Sequence, residues 1–227
     1  GSEMCIRDSV DVELWNKIVE LGWTGIRIPE EYSGLGLGHL ELCVIAEELG
    51  RFLAPVPFSS SVYLFTEAII NYANDDIKKE ILPKLVSGEV IGTLAVAEDL
   101  QAPTADNISL QSDNNILNGK KIAVPDAEIA THAIVVSKTS SGISLQLVDL
   151  NADGVKIEKQ ENIDESRGYF SILFENSPSK LIGDETGGWD LYEALMNQAA
   201  VLFGYEQIGG SQAALDMAIN YLSLIHI

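Results

Sequence analysis

Ala133-Ile134-Val135-Val136, then Ser137-Lys138-Thr139-Ser140-Ser141-Gly142, then Ile143-Ser144-Leu145-Gln146-Leu147: this stretch decides the fold. Ile143, Leu145 and Leu147 alternate with Ser144 and Gln146, the period-two pattern of a strand with one buried face. The apolar run Ala133 to Val136 reads as the strand before it, and Thr139 to Gly142 as the hairpin loop between them. Two strands joined so closely run antiparallel. Upstream, Asn118-Gly119 reads as a tight turn between Ile116-Leu117 and the run Ile122 to Val124. Downstream, Tyr169 to Phe174 is a further strand. Residues 89–182 are therefore expected to form an antiparallel, β-barrel-like domain.

On either side the period changes. Leu14, Trp15, Ile18 and Leu21 recur at helical spacing, with Ser9 as N-cap, Asp11 and Glu13 in the first turn, and Gly22 as stop. Leu42, Ile45, Ala46, Leu49, Phe52 and Leu53 make a second stripe. A third helix lies between Phe58 and Asn74. A fourth, from Asp75, carries Ile77, Ile81, Leu82 and Leu85 inward and stops at Gly88, with Pro83 expected to bend it or end it early. At the far end one long helix spans 188–222. Leu191, Leu195, Ala199, Leu202 and Ile208 trace its face, and Gly204, Gly209, Gly210, Ala213 and Ala214 would let another helix approach closely. A helix of that length implies partner helices outside the chain or in another subunit. The fold class is thus α+β and multidomain: an N-terminal helical domain (10–88), the middle β-domain (89–182) and the start of a C-terminal helical bundle (183–222).

Composition narrows the function. Lys plus Arg number 14 against 34 Asp plus Glu, a net charge of −20, which excludes a nucleic-acid binder and disfavours an anionic membrane surface. Cys5 and Cys43 make no disulfide framework, and His39, His132 and His226 have no zinc spacing. No apolar run reaches the ~20 residues of a membrane span, and no signal peptide is read. A cytoplasmic setting without membrane insertion is the expectation.

The order of domains, and the words within them, resemble the acyl-CoA dehydrogenase family. Leu21-Gly22-Trp23-Thr24-Gly25, followed by Ile28-Pro29-Glu30-Glu31-Tyr32-Ser33-Gly34-Leu35-Gly36, is similar to that family's opening signature. Glu47-Glu48-Leu49-Gly50, Leu53-Ala54-Pro55-Val56-Pro57, Leu82-Pro83-Lys84-Leu85 and Ser87-Gly88-Glu89 follow in the family's order. Asn118-Gly119-Lys120-Lys121 resembles its flavin-side hairpin. Ser166-Arg167, Leu181-Ile182-Gly183, Gly187-Gly188-Trp189 and the helix Ala200 to Ala218 complete the run. The resemblance covers residues 10–222 and implies an FAD-dependent oxidoreductase of fatty acid or lipid metabolism that oxidises an acyl-CoA thioester at its α,β carbons. It further implies a homo- or hetero-oligomer that passes electrons to an electron-transfer flavoprotein or similar acceptor.

The resemblance places flavin contacts at Val96, Ala97 and Glu98 and at Ala123, Val124 and Pro125. There the chain departs from the family, which has a Thr where Ala97 stands, an aromatic at Ala123 and a Thr or Ser at Pro125. A hydroxyl and an aromatic contact are missing, and proline also lacks an N–H. The usual catalytic base belongs to the last third of the family fold, which the sequence does not contain, so no catalytic residue is assigned. A minority of the family carries the base on the long helix, at a position that falls near Ala199; Glu193 and Glu206 are nearby carboxylates outside the motif. Residues 1–9 and 223–227 do not resemble the family and are expected to be extraneous ends. Two functions follow: the front of an acyl-CoA dehydrogenase, inactive by itself, or a flavin-poor, non-catalytic partner subunit of a heteromeric one.

Several features have plainer readings. Gly34-Leu35-Gly36-Leu37-Gly38 lacks the GxGxxG spacing and the βαβ setting of a dinucleotide site, and reads as a tight loop. Arg167 reads first as a solvated partner of Asp164 or Glu165, second as a residue ordering the β-domain against its neighbours. Glu98 reads either as structural or as holding a loop near the flavin, and the resemblance favours the site role. Cys43 is read as a small buried hydrophobe.

Overall fold

The computed structural model describes residues 10–163 and 167–225. Helix α1 is Val12–Glu20. Its cap is Asp11, whose carboxylate accepts from the Leu14 N–H at 2.9 Å; Ser9 lies outside the described residues. The chain leaves α1 through Gly22, at φ +74°. Helix α2, His39–Arg51, buries Leu42, Cys43, Ala46 and Leu49. Phe52 and Leu53, expected in the same stripe, are exposed because the helix ends at Arg51 and Leu53 turns into the left-handed region at φ +45°.

The third helix begins where the pattern places it but winds wider at first. Ser59–Thr66 is a π-type helix, every residue of it buried, and Thr66 Oγ1 donates to the Ser61 carbonyl five residues back at 2.8 Å. It continues as α3, Glu67–Tyr72. Helix α4, Asp75–Val86, starts on an Asn74 cap and continues past Pro83. The expectation of an early end fails because Pro83 sits in the last turn. Its carbonyl still accepts the Ser87 N–H at 3.1 Å, and Gly88 closes the helix on the Leu85 carbonyl at 3.2 Å.

Eight strands follow among the described residues: β1 Gly92–Ala95, β2 Gln111–Asp113, β3 Ile116–Pro125, β4 His132–Lys138, β5 Ile143–Asp149, β6 Val155–Lys159, β7 Tyr169–Pro178 and β8 Lys180–Ile182. The sheet order is β6-β7-β3-β2-β4-β5-β8, with β1 also on β4. The pairings are antiparallel with one substantial exception: β1 runs parallel to β4, Gly92 to Ala95 opposite His132 to Val135. β2 meets β4 in parallel at a single pair beyond it, so β1 and β2 share one edge of β4. The β4–β5 hairpin is as expected, closed by the Thr139 N–H on the Gly142 carbonyl at 2.8 Å.

The turn expected at Asn118-Gly119 is not there. Both residues lie inside β3, at a bulge in its pairing with β7. The turn falls four residues earlier, at Asn114-Asn115, where both take positive φ (49° and 62°). That is the type I′ geometry a two-residue hairpin needs, and asparagine tolerates it.

The inner strands bury both faces. Ile134, Val136, Leu145 and Leu147 pack into the helical core, while Ala133, Val135 and Val148 face a second core with Leu117, Val124, Phe170 and Phe174. The half-exposed reading of β5 is therefore corrected: Ser144 and Gln146 are buried. Their polar atoms are satisfied locally, Ser144 against Ser137 at 3.1 Å and Gln146 against Ser144 (3.2 Å) and Ser179 (3.1 Å). This removes the cost of burying them.

Helix α5, Gly188–Ile225, crosses α2 closely. A Cβ added at Gly209 would stand 1.8 Å from the Glu47 carbonyl oxygen, and one at Gly50 2.0 Å from that of Glu206. The small residues do admit a close helix, but it is the chain's own α2. Leu195, Ala199 and Leu202 are buried against the chain itself, Leu191 is half-buried, and Ile208, expected on that face, is exposed. Among the described residues no helix is long and apolar enough to cross a membrane.

Candidate functional site

The two segments assigned to a cofactor meet. The Ile122 N–H donates to the Ala97 carbonyl at 2.8 Å, and Lys121 Nζ donates to the Val96 carbonyl at 2.8 Å and to Glu98 Oε1 at 2.7 Å. Lys121 projects from β3 with its side chain wholly buried. Burial pushes its ammonium down to about 8, with the Glu98 carboxylate working against that shift. Burial pushes Glu98 up, but the hydrogen bonds from Lys121, Ser109 and the Leu110 N–H, with the Lys121 charge, hold it below the usual carboxylate value. Glu98 thus serves as a staple, tying the 96–98 segment to both β3 and residues 109–110.

Ala123 lies on a second bulge of β3, at φ +51°, with its side chain exposed. Its N–H donates to Gln160 Oε1 at 2.7 Å. Val124 is buried in the β-domain core, opposite Phe170. Pro125 presents only a carbonyl, which accepts from Thr93 Oγ1 at 2.6 Å. A flavin laid against this surface would find no hydroxyl at Ala97 or Pro125, no aromatic face at Ala123, and the N–H groups of Ile122 and Ala123 already committed. These residues do not fit the polar edge of a flavin.

Directly after Pro125 the surface turns into a pocket of about 470 Å³. It lies between the end of α2, the start of the π-type helix and α5, and Leu49, Val56, Phe58 and Phe203 make apolar walls. Asp126, at φ +56°, reaches its floor. Arg167 grips Asp126 with two nitrogens, Nη2 at 2.9 Å and Nε at 3.4 Å, and Ser60 Oγ donates to the same carboxylate. Arg167 is paired with a nearly buried aspartate on another loop; its expected partners, Asp164 and Glu165, lie outside the described residues. Glu206, on α5, completes the lining. Burial holds its carboxyl above the ordinary range, with Tyr63 and Arg167 opposing.

Sequence reasoning placed Glu206 near a site and missed Asp126 and the pocket itself. Asp126 follows a strand without any periodic or motif signal. Ala199, at the minority base position, is fully buried, and Glu193 is exposed and accepts from Trp189 Nε1 at 2.8 Å. The glycine loop is no phosphate cradle. The N–H groups of Gly34, Leu35, Gly36 and Leu37 donate to the carbonyls of Pro29, Gly25, Ile28 and Ile26, and that of Gly38 to Glu41.

Comparison with known proteins agrees with this architecture. Residues 3–89 match the family model for the acyl-CoA dehydrogenase N-terminal domain. The chain is 31% identical over 229 residues to a mitochondrial isovaleryl-CoA dehydrogenase from Pongo abelii, an alignment covering 92% of this chain and 54% of the relative. A solved steroid ACAD variant, Tcur3481-Tcur3483, is 27% identical with a TM-score of 0.82 over 96% of this chain and 59% of its own. A glutaryl-CoA dehydrogenase from Mycobacterium smegmatis, solved with FADH2, shares the fold at TM-score 0.83 and 22% identity, over 93% of this chain and 57% of its own. The chain belongs to the acyl-CoA dehydrogenase family and spans about half the length of the curated relatives it matches.

Proposed function

We propose that this chain is the front part of a subunit of a heteromeric acyl-CoA dehydrogenase, with segments 10–88, 89–182 and 183–222 as its helical, β and incomplete C-terminal domains. Its pocket takes the acyl portion of a coenzyme A thioester, and the subunit holds little or no FAD of its own. The observation that carries this reading is the state of residues 122–125: Ala123 and Pro125 offer no side-chain donor, and the N–H groups of Ile122 and Ala123 are in use. The name of the steroid ACAD variant joins two gene products, which supports a paired assembly. A sister subunit then supplies the flavin site and the base, and the assembly delivers electrons to an electron-transfer flavoprotein or similar acceptor in the cytoplasm.

A second reading, favoured by the 31% identity to isovaleryl-CoA dehydrogenase, is a dehydrogenase sufficient in itself. In that case Val96, Ala97, Glu98, Ala123, Val124 and Pro125 border an FAD held largely by other parts of the protein. The deciding measurement is the visible absorbance of the purified full-length protein. A colourless protein that oxidises acyl-CoA only with a sister subunit supports the partner reading. A yellow protein with one flavin per chain, active alone, overturns it. On either reading the 227-residue chain alone transfers no electrons from acyl-CoA to a dye.

A further inference from the structure

Gly50, Gly209 and Gly210 stand where α2 crosses α5, and the first two have a packing reason. A Cβ at Gly50 or Gly209 would be driven into the main chain of the facing helix, at 2.0 Å and 1.8 Å. Gly210 is under no such constraint. Among the described residues outside its own stretch of helix, a Cβ built there meets only the Gly50 carbonyl oxygen, at 3.5 Å, an ordinary contact. Glycine is the least favourable residue of a helix interior after proline. A glycine that the helix crossing does not require therefore calls for another cause.

The pocket supplies one. Phe203, Glu206, Gln207 and Gly210 all line it, and their spacing of three and four residues puts them on one face of α5. Side chains on a helix lean toward its N-terminus. A side chain at position 210 would thus lie back over Glu206 and Gln207, into the space of about 470 Å³. Gly50, the only neighbour of that Cβ, is itself pocket wall. The wall between α2 and α5 recedes here by one side chain.

We propose that Gly210 is a specificity-determining residue: the recess it leaves admits acyl groups that end in a ring or a branched body, and a side chain there would confine the pocket to straight chains. A straight methylene chain can turn about its single bonds past an intruding group, whereas a ring keeps its width. The apolar walls Leu49, Val56, Phe58 and Phe203 take the hydrocarbon. This inference rests on the acyl-thioester reading above and adds the shape of the acyl tail.

The test is calorimetric titration of the full-length protein with decanoyl-CoA and with cyclohexylbutanoyl-CoA, which are equal in carbon count and differ in width. Wild type is expected to bind both. Gly210→Leu should lower the affinity for the ring thioester relative to the straight one by about tenfold, the scale of an overpacked interior. Gly210→Ala, whose Cβ has room in the fold, should move the ratio the same way by about threefold, less than a whole methylene is worth to a tight pocket, and it decides alone if the leucine variant does not fold. A ratio that stays at the wild-type value, or a wild type that binds decanoyl-CoA and not the ring thioester, overturns the inference and leaves the acyl-thioester reading intact. Failure of both thioesters to bind wild type overturns that reading, and this inference with it.

Discussion

Lys121 Nζ, wholly buried, donates to Glu98 Oε1 at 2.7 Å, joining the middle of β3 to the segment after β1. Removing one partner of such a pair leaves an uncompensated charge, at a cost of about 3–5 kcal/mol. Lys121→Met is expected to lower the urea unfolding free energy by about 3 kcal/mol. A loss below about 1 kcal/mol, the range of exposed pairs, would show that the pair is solvated in solution.

The same pair sets a pH dependence. Unfolded, Lys121 keeps its proton to about 10.5; folded, it releases it near 8. Between those values the unfolded chain binds the extra proton, so this group's contribution to stability rises with pH across that window. The stability difference between wild type and Lys121→Met should therefore widen from pH 8 upward. Glu98 acts at the other end. Its folded value lies below the ordinary 4.5, so its contribution is present above that value and is lost as pH falls through the folded one. An unchanging difference between the two proteins from pH 8 upward would mean that Lys121 keeps its proton in the fold.

Two glycines of α5 should respond oppositely. Gly209→Ala drives a Cβ against the Glu47 carbonyl and is expected to cost about 3 kcal/mol, at the upper end of overpacking penalties. Gly204, with open space where its Cβ would be, should gain about 0.5–1 kcal/mol on change to alanine from helix propensity alone. Thermal melts of the two variants check the ordering, and a destabilised Gly204→Ala would place an unseen neighbour there.

On the side of α5 away from α2, Val201, Ile208, Leu215 and Leu222 recur every seventh residue and are all exposed, with Ile219 between them. A contiguous apolar stripe of this kind marks an interaction surface. The 227-residue chain is expected to bind a hydrophobic dye or self-associate, and the double variant Ile208→Lys, Leu215→Lys should lose both behaviours at unchanged helicity. A monomeric wild type that binds no dye would show the stripe to be covered.

Helix and strand periods were legible where one principle acted alone, as in α1, α4 and the β4–β5 hairpin. They misled where a second surface intervened. Ser144 and Gln146 alternate like solvent-facing residues, yet Ser137 meets Ser144 in the interior and the half-buried Ser179 meets Gln146. Asn118-Gly119 is the stronger turn dipeptide, but the adjacent Asn114-Asn115 took the turn, which let β3 run long enough to carry Lys121 inward. The site was legible as two segments and not as a pocket. Asp126 and Arg167 lie 41 residues apart, and nothing local to either names the other.

The π-type winding of Ser59–Thr66 fixes an angular phase. Each residue added to or taken from an α-helix rotates everything beyond it by roughly 100°. Immediately downstream, Glu67 is wholly buried and receives Arg27 Nε at 2.8 Å and Gln198 Nε2 at 2.7 Å, from the loop after α1 and from α5. Deleting one residue from the wide turn would let it tighten to ordinary α pitch and swing that carboxylate away from both donors. The segment should tolerate substitution far better than a change in length, because its residue count works as a vernier that aligns three separate parts of the chain on one oxygen pair.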